Sequence, residues 1–287
     1  MGPLGTALTD CAAAGFTGAL SVIGAPGGTI YLTDGGVTAI ETPWSPSAEV
    51  ILLHSGRVLE ADWETAFAAA TVAGGPMCAE LAGRGLVGGG ELEALLRVAL
   101  ADAMFAFAAG FVDHCRTEVA PVDHVLPLEP AADAGALLSE ALRRVQVLAA
   151  FPDPPLQPRE RVAAVPGAVR PGVILGAGRD DVLALADGRR TTRDLAFALG
   201  RGLYPTMLRL ARMRAEGLIA PVAPGLPPGP GDEDHAAGTG AGETTAGLPR
   251  RQKDRPVDPP RAGNLASRSL PVALRLLRPR SEDTSGL

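Results

Sequence analysis

Between Gly18 and Glu41 the chain is punctuated so closely by turn chemistry that only short strands fit. Gly18–Ile23 is a brief apolar run, and Ala25-Pro26-Gly27-Gly28 ends it. Proline fixes φ there and the glycines accept positive φ. Thr29–Thr33 alternates around Ile30 and Leu32, Asp34-Gly35 is a strong hairpin dipeptide, and Val37–Glu41 returns. Three short strands joined by tight turns make an antiparallel meander. Such a sheet buries one face, so helices must cover it. The fold class expected is therefore α+β: a small antiparallel sheet with covering helices.

The covering helices are legible downstream. Ser47 is placed to cap a turn containing Val50, Ile51 and Leu53. Glu60–Ala73 puts Trp63, Ala66, Phe67 and Ala70 on one helical face, and Met77–Ala82 is a further short turn. Gly88-Gly89-Gly90 breaks the chain before Glu91–Met104, where Leu92, Leu95, Leu96, Ala99 and Leu100 share a face. Phe105 and Phe107 then alternate, and Ala109-Gly110 offers a turn into Phe111–Glu118. This stretch reads as a second hairpin completing the sheet. Ala134–Leu148 follows the i, i+3, i+4 rule through Leu137, Leu138, Ala141, Leu142, Val145 and Leu148.

Prolines at 152, 154, 155, 158, 166 and 171 read as a stiffened linker. Three more helices follow, over Asp181–Asp187, Thr191–Leu199 and Pro205–Glu216. Thr191 is an N-cap candidate with Asp194 in the first turn, Gly200-Arg201-Gly202 separates two helices, and Gly217 closes the last. The organisation expected is an α+β domain at 1–150, a Pro-rich linker at 151–176, an all-α/winged-helix domain at 177–222 and a disordered tail at 223–287. In that tail 19 of 65 residues are Pro or Gly.

Composition excludes several classes. Hydrophobic residues reach 46% with only 4% aromatic, so the core must be mostly Ala, Leu and Val. Of 26 basic residues only Lys253 is a lysine, a bias that points to a GC-rich genome rather than to a function. Cys11, Cys78 and Cys115 are an odd set, which fits a reducing compartment and a cytoplasmic location. Met1 to Leu20 has no basic n-region, so no signal peptide is expected, and Pro3 beside Gly2 speaks against myristoylation. The apolar run at Val98–Val112 is interrupted by Asp102 and is too short to span a bilayer.

Net charge is −6, but it is unevenly spread. Residues 1–125 hold 4 basic and 14 acidic side chains, residues 177–222 hold 8 and 5, and residues 250–280 hold 9 and 2. An acidic front repels nucleic acid, and only the later part has charge to neutralise phosphates. His114-Cys115 beside Asp113, and His124 beside Asp123, fit no zinc spacing. Cys115 with His124 lacks an orienting residue or an oxyanion turn, and Gly88–Gly90 lacks the Lys-Ser/Thr of a phosphate loop. No metal, no cofactor and no enzymatic activity are expected, and Trp44 and Trp63 read as packing.

Two resemblances sharpen this. Gly18-Ala19-Leu20-Ser21-Val22, Gly27–Leu32 and Asp34–Ala39 are similar to the PATAN family of bacterial signalling domains, and Leu137–Arg144 is similar to its terminal helix. The Ala-rich insert at 60–90 departs from that family. The resemblance implies an adaptor module that contacts a protein partner. Asp187–Ala196, Leu199-Gly200 and Met213–Ile219 resemble a MarR-like winged helix. That implies a helix-turn-helix and a DNA-binding transcriptional regulator. In this reading Arg189, Arg190, Arg193 and Arg201 contact phosphates, Arg209 and Arg212 enter the major groove, and Tyr204 and Thr206 join the interface. Tyr204-Pro205-Thr206-Met207-Leu208 departs from the polar start usual in a reading helix. The alternative is a signalling adaptor that uses Tyr204, Pro205 and Leu208 as an apolar docking surface. Expected partners are DNA and a protein, with no membrane and a possible homodimer.

Overall fold

The structure is a computed structural model that describes residues 2–119, 124–168, 176 and 178–222. The chain divides into two units, Met1–Ala223 and Pro224–Leu287. The disordered tail expected at 223–287 lies outside the described residues.

The expected meander is present. β1 (Gly18–Ala25), β2 (Gly28–Thr33) and β3 (Gly36–Glu41) pair antiparallel, with Leu20 opposite Ile30 and Ile30 opposite Ile40. All three side chains point into the core, so the pleat sorts one apolar face from one polar face. Gly28 has no room for a side chain, since a Cβ there would sit 2.8 Å from the Phe107 ring. β4 (Phe111–Glu118) pairs antiparallel with β1 and forms one edge, giving the order β3-β2-β1-β4.

The helix α1 (Pro3–Ala13), which the sequence reading did not anticipate, buries Leu4, Leu8 and Cys11. Proline at its first turn costs no hydrogen bond. Four helices then intervene between β3 and β4: α2 (Ala48–His54), α3 (Glu60–Ala73), α4 (Met77–Gly83) and α5 (Gly89–Ala108). Ser47 caps α2 by accepting from Val50 N–H at 3.3 Å, as its position suggested. The α2–α3 and α4–α5 turns correspond residue by residue. Gly56 (φ +71) answers to Gly85 (φ +68), Val58 N–H bonds Leu52 C=O as Val87 N–H bonds Leu81 C=O, and Trp63 answers to Leu92.

The expected second hairpin is corrected. Phe105 and Phe107 lie in α5, not in a strand, and are buried at 0% and 1% exposure. From Ala99 to Phe107 every residue of α5 is buried, so its apolar residues cover all sides and the helical period disappears from the pattern. The Phe-x-Phe spacing then imitates a strand. α6 (Ala134–Ala149) packs beside α5 with Asp133 capping it through Ala136 N–H at 2.6 Å.

The Pro-rich stretch is also corrected. It carries β5 (Arg161–Ala164), the middle strand of a second sheet ordered β6-β5-β7, with β6 at Asp187–Thr191 and β7 at Ile219–Pro221. Leu156 and Val162 are buried in the second core, and Pro158 C=O accepts from Arg193 N–H at 3.0 Å. The later helices are α7 (Arg179–Leu185), α8 (Thr192–Ala198) and α9 (Leu203–Ala215), so the back is not all-α but a three-helix unit with its own sheet. Thr191 and Asp194 form a reciprocal capping box at the start of α8. The whole is an α+β protein. No helix among the described residues is long and apolar enough to cross a membrane.

Candidate functional site at the start of α9

α9 takes part in two cores. Leu203 and Met207 belong to the first, with Tyr204 and Leu208 packed against it. Leu210 and Met213 belong to the second. The first turn of α9 therefore faces inward, where a DNA-reading helix would need to face out.

A carboxylate organises this contact. Asp102 projects from α5, is 1% exposed, and accepts hydrogen bonds from Leu203 N–H, from Tyr204 N–H at 2.8 Å and from the Ser45 hydroxyl. The first N–H groups of a helix have no partner within it, and the positive end of the helix dipole favours an anion there. Asp102 thus caps α9 from a residue far away in sequence. Burial pushes its carboxyl above the usual range. The Ser45, Tyr204 and Leu203 donors and the Arg144 charge pull the other way.

Around the cap the fit is tight. Gly202 approaches Asp102 so closely that a Cβ would lie 2.8 Å from the carboxyl carbon. Gly200 adopts φ +57, and a Cβ there would lie 2.7 Å from Ser55 N. His54 Nδ1 donates to Phe197 C=O at 2.7 Å, tying the end of α2 to α8. Tyr204 meets Phe105 edge-on at 5.1 Å between centroids, and the Arg144 guanidinium lies 5.0 Å above its ring. Glu140 holds Arg143 and Arg144 in place, and their hydrogen bonds lower its carboxyl to about 2.

The eight residues expected to meet DNA are distributed accordingly. Thr206 is buried, its hydroxyl donating to Gly202 C=O at 2.8 Å, and Tyr204 lies against α5 and α6. Arg209 donates to Gly178 C=O at 3.0 Å, Arg190 pairs with Asp187 at 2.7 Å, and Arg201 lies 3.7 Å from Asp181. Arg193 stacks 5.2 Å over Phe197. Among the described residues only Arg189 and Arg212 of the eight have side chains that engage no other group, and they sit on different elements, β6 and the second half of α9. Of the alternative docking trio, Pro205 is exposed, whereas Tyr204 and Leu208 pack against the first core.

The other weighed groups are engaged in structure. His114 Nδ1 bonds Asp113 at 2.9 Å. His124 Nδ1 accepts from Leu126 N–H at 3.2 Å, which leaves Nε2 to donate to Glu41 at 3.3 Å. Burial raises the Cys115 thiol, so the thiolate needed of a nucleophile is disfavoured. Trp63 is a core side chain at 1% exposure.

Asp102, Ser45, His54 and Arg144 are the junction residues that sequence reasoning missed. One signal was available: Asp102 is the lone acid within an apolar run. A buried acid implies a buried donor set, though not where the donors come from. No family model, no curated protein and no solved structure matches the chain.

Proposed function

We propose that the chain is a non-enzymatic signalling adaptor that works by contact with another protein, and that its winged-helix-like unit serves as an internally docked brace. The observation that carries this reading is the Asp102 cap on Leu203 and Tyr204. It seats the first turn of α9 against α5, the end from which a helix-turn-helix contacts base edges. The engagement of Arg190, Arg201 and Arg209 with groups of the same chain supports it further. The acidic front half, with 14 acidic residues against 4 basic, argues in the same direction.

The second reading, DNA binding, rests on Arg189 and Arg212. The test is a titration of mixed-sequence duplex DNA into the full chain over a range of salt. DNA binding through this unit requires a log–log salt slope that flattens by about two units when Arg189 and Arg212 are both replaced by alanine, at about −0.9 per phosphate contact. The adaptor reading expects no change in slope. A flattened slope with lost affinity overturns it. Leu208→Ser does not separate the two readings, because Leu208 packs on the first core and its loss perturbs folding.

A further inference from the structure

β4 is an edge strand, and among the described residues its outer side pairs with no other backbone. Its two halves differ. At the Phe111 end the register against β1 shifts between Ile23 and Gly24, leaving Asp113 as an extra, 63% exposed residue. A bulge with an outward charge blunts an edge against pairing. From Cys115 to Glu118 the ladder is regular, with Cys115 opposite Val22, Arg116 opposite Ser21, Thr117 opposite Leu20 and Glu118 opposite Ala19.

In this regular half the charges are uncommitted. Arg57, Arg84, Arg97, Arg143 and Arg144 all form ion pairs with glutamates of the same chain. Among the described residues Arg116 and Glu118 form none. They share the outward face of β4, two residues apart, beside the short side chains of Ser21 and Ala19. Val119 just beyond is 87% exposed.

We propose that the Cys115–Val119 edge is a homodimer contact, in which β4 pairs antiparallel with β4 of a second copy about a two-fold axis at Thr117. An isologous pairing must be self-complementary. Centred on Thr117, it sets Arg116 opposite the partner's Glu118 and Glu118 opposite the partner's Arg116. Thr117 meets the partner's Thr117, and Val119 meets the partner's Cys115. Opposite charges and paired threonines are favourable cross-strand neighbours. Centring on Arg116 would oppose two arginines, and centring on Cys115 would place His114 against Arg116. The bulge at Asp113 lies outside the Thr117-centred register, so it limits the pairing without preventing it. This proposal is independent of the adaptor reading, and DNA binding would leave it intact.

The test is sedimentation equilibrium of the full chain, with circular dichroism as a control for folding. The wild type reaches twice the 29.3 kDa chain mass. Arg116→Glu sets glutamates opposite each other at both symmetry-related pairs and raises the dissociation constant by about tenfold or more. The charge exchange Arg116→Glu with Glu118→Arg restores dimerisation. A wild type that stays at monomer mass at every soluble concentration overturns the proposal. So does a dimer indifferent to Arg116→Glu, or one that the double exchange fails to recover.

Discussion

Replacing Asp102 by alanine removes the acceptor for a buried and a part-buried backbone N–H group and one buried hydroxyl in a single step. An unsatisfied buried donor costs about 1–3 kcal/mol, so three of them set an upper bound near ~9 kcal/mol. The substitution also removes a carboxyl whose ionised form burial disfavours, which reduces that bound. At the low end of that range each stranded donor costs about 1 kcal/mol, which puts Asp102→Ala at about 3 kcal/mol. Ser45→Ala, which deletes one donor and leaves the cap, should cost about 1 kcal/mol. Urea unfolding at neutral pH measures both. The pH dependence carries a sign. A carboxyl raised in the folded state contributes stability that is present below its unfolded pKa and lost as pH rises through its folded value. The penalty of Asp102→Asn should therefore be larger in acid than at neutral pH. An Asp102→Ala penalty below about 1 kcal/mol, or an Asp102→Asn penalty that grows towards neutral pH, would refute the account of the junction.

Gly200→Ala should destabilise by about 2 kcal/mol or more, lowering Tm by about 4–8 °C in a thermal melt, because it combines positive φ with contact on Ser55 backbone. Gly217→Ala has positive φ but open space, and should cost only about 1 kcal/mol, so equal losses would contradict the packing argument. Glu140 is lowered from 4.5 to about 2 by Arg143 and Arg144, so its contribution is present above pH 4.5 and lost as pH falls towards 2. The denaturation midpoints of wild type and Glu140→Gln should converge over that window, and a constant gap would exclude the linkage. Tyr31 donates to Glu41 at 3.2 Å and is pushed up to about 12 by burial and by that carboxylate. Absorbance titration should find its phenol ionising near there in wild type and earlier in Glu41→Gln; identical curves would show that Glu41 has no hold on it.

What the sequence made legible was local. The meander follows from Pro26, Gly27, Gly28, Asp34 and Gly35, whose backbone preferences act without help from the rest of the chain. The same holds for Ser47 and Thr191, which cap helices through bonds to N–H groups three residues on. What stayed hidden was set by partners distant in sequence. α5 lost its periodicity because neighbours surround it on all sides, and β5 is too short and too proline-flanked to announce itself before β6 and β7 flank it. Arg201 and Arg209 looked alike as phosphate ligands, and only folding reveals Asp181 and Gly178 beside them. The junction was hidden most of all, since Asp102 and Leu203 meet across 101 residues.

α9 has no core of its own: one end is shared with Phe105 and Met104, the other with Val182 and Ile219. A rod clamped at both ends makes its two sockets thermodynamic neighbours. Anything that binds the folded front half must also raise the free energy needed to open the back, because α9 cannot leave one socket while remaining seated in the other. A partner at about a hundred times its Kd would add about 2.7 kcal/mol to both. Protection from proteolysis at β5 and β7 would then report on an event at the first sheet, with no shape change needed to carry the message.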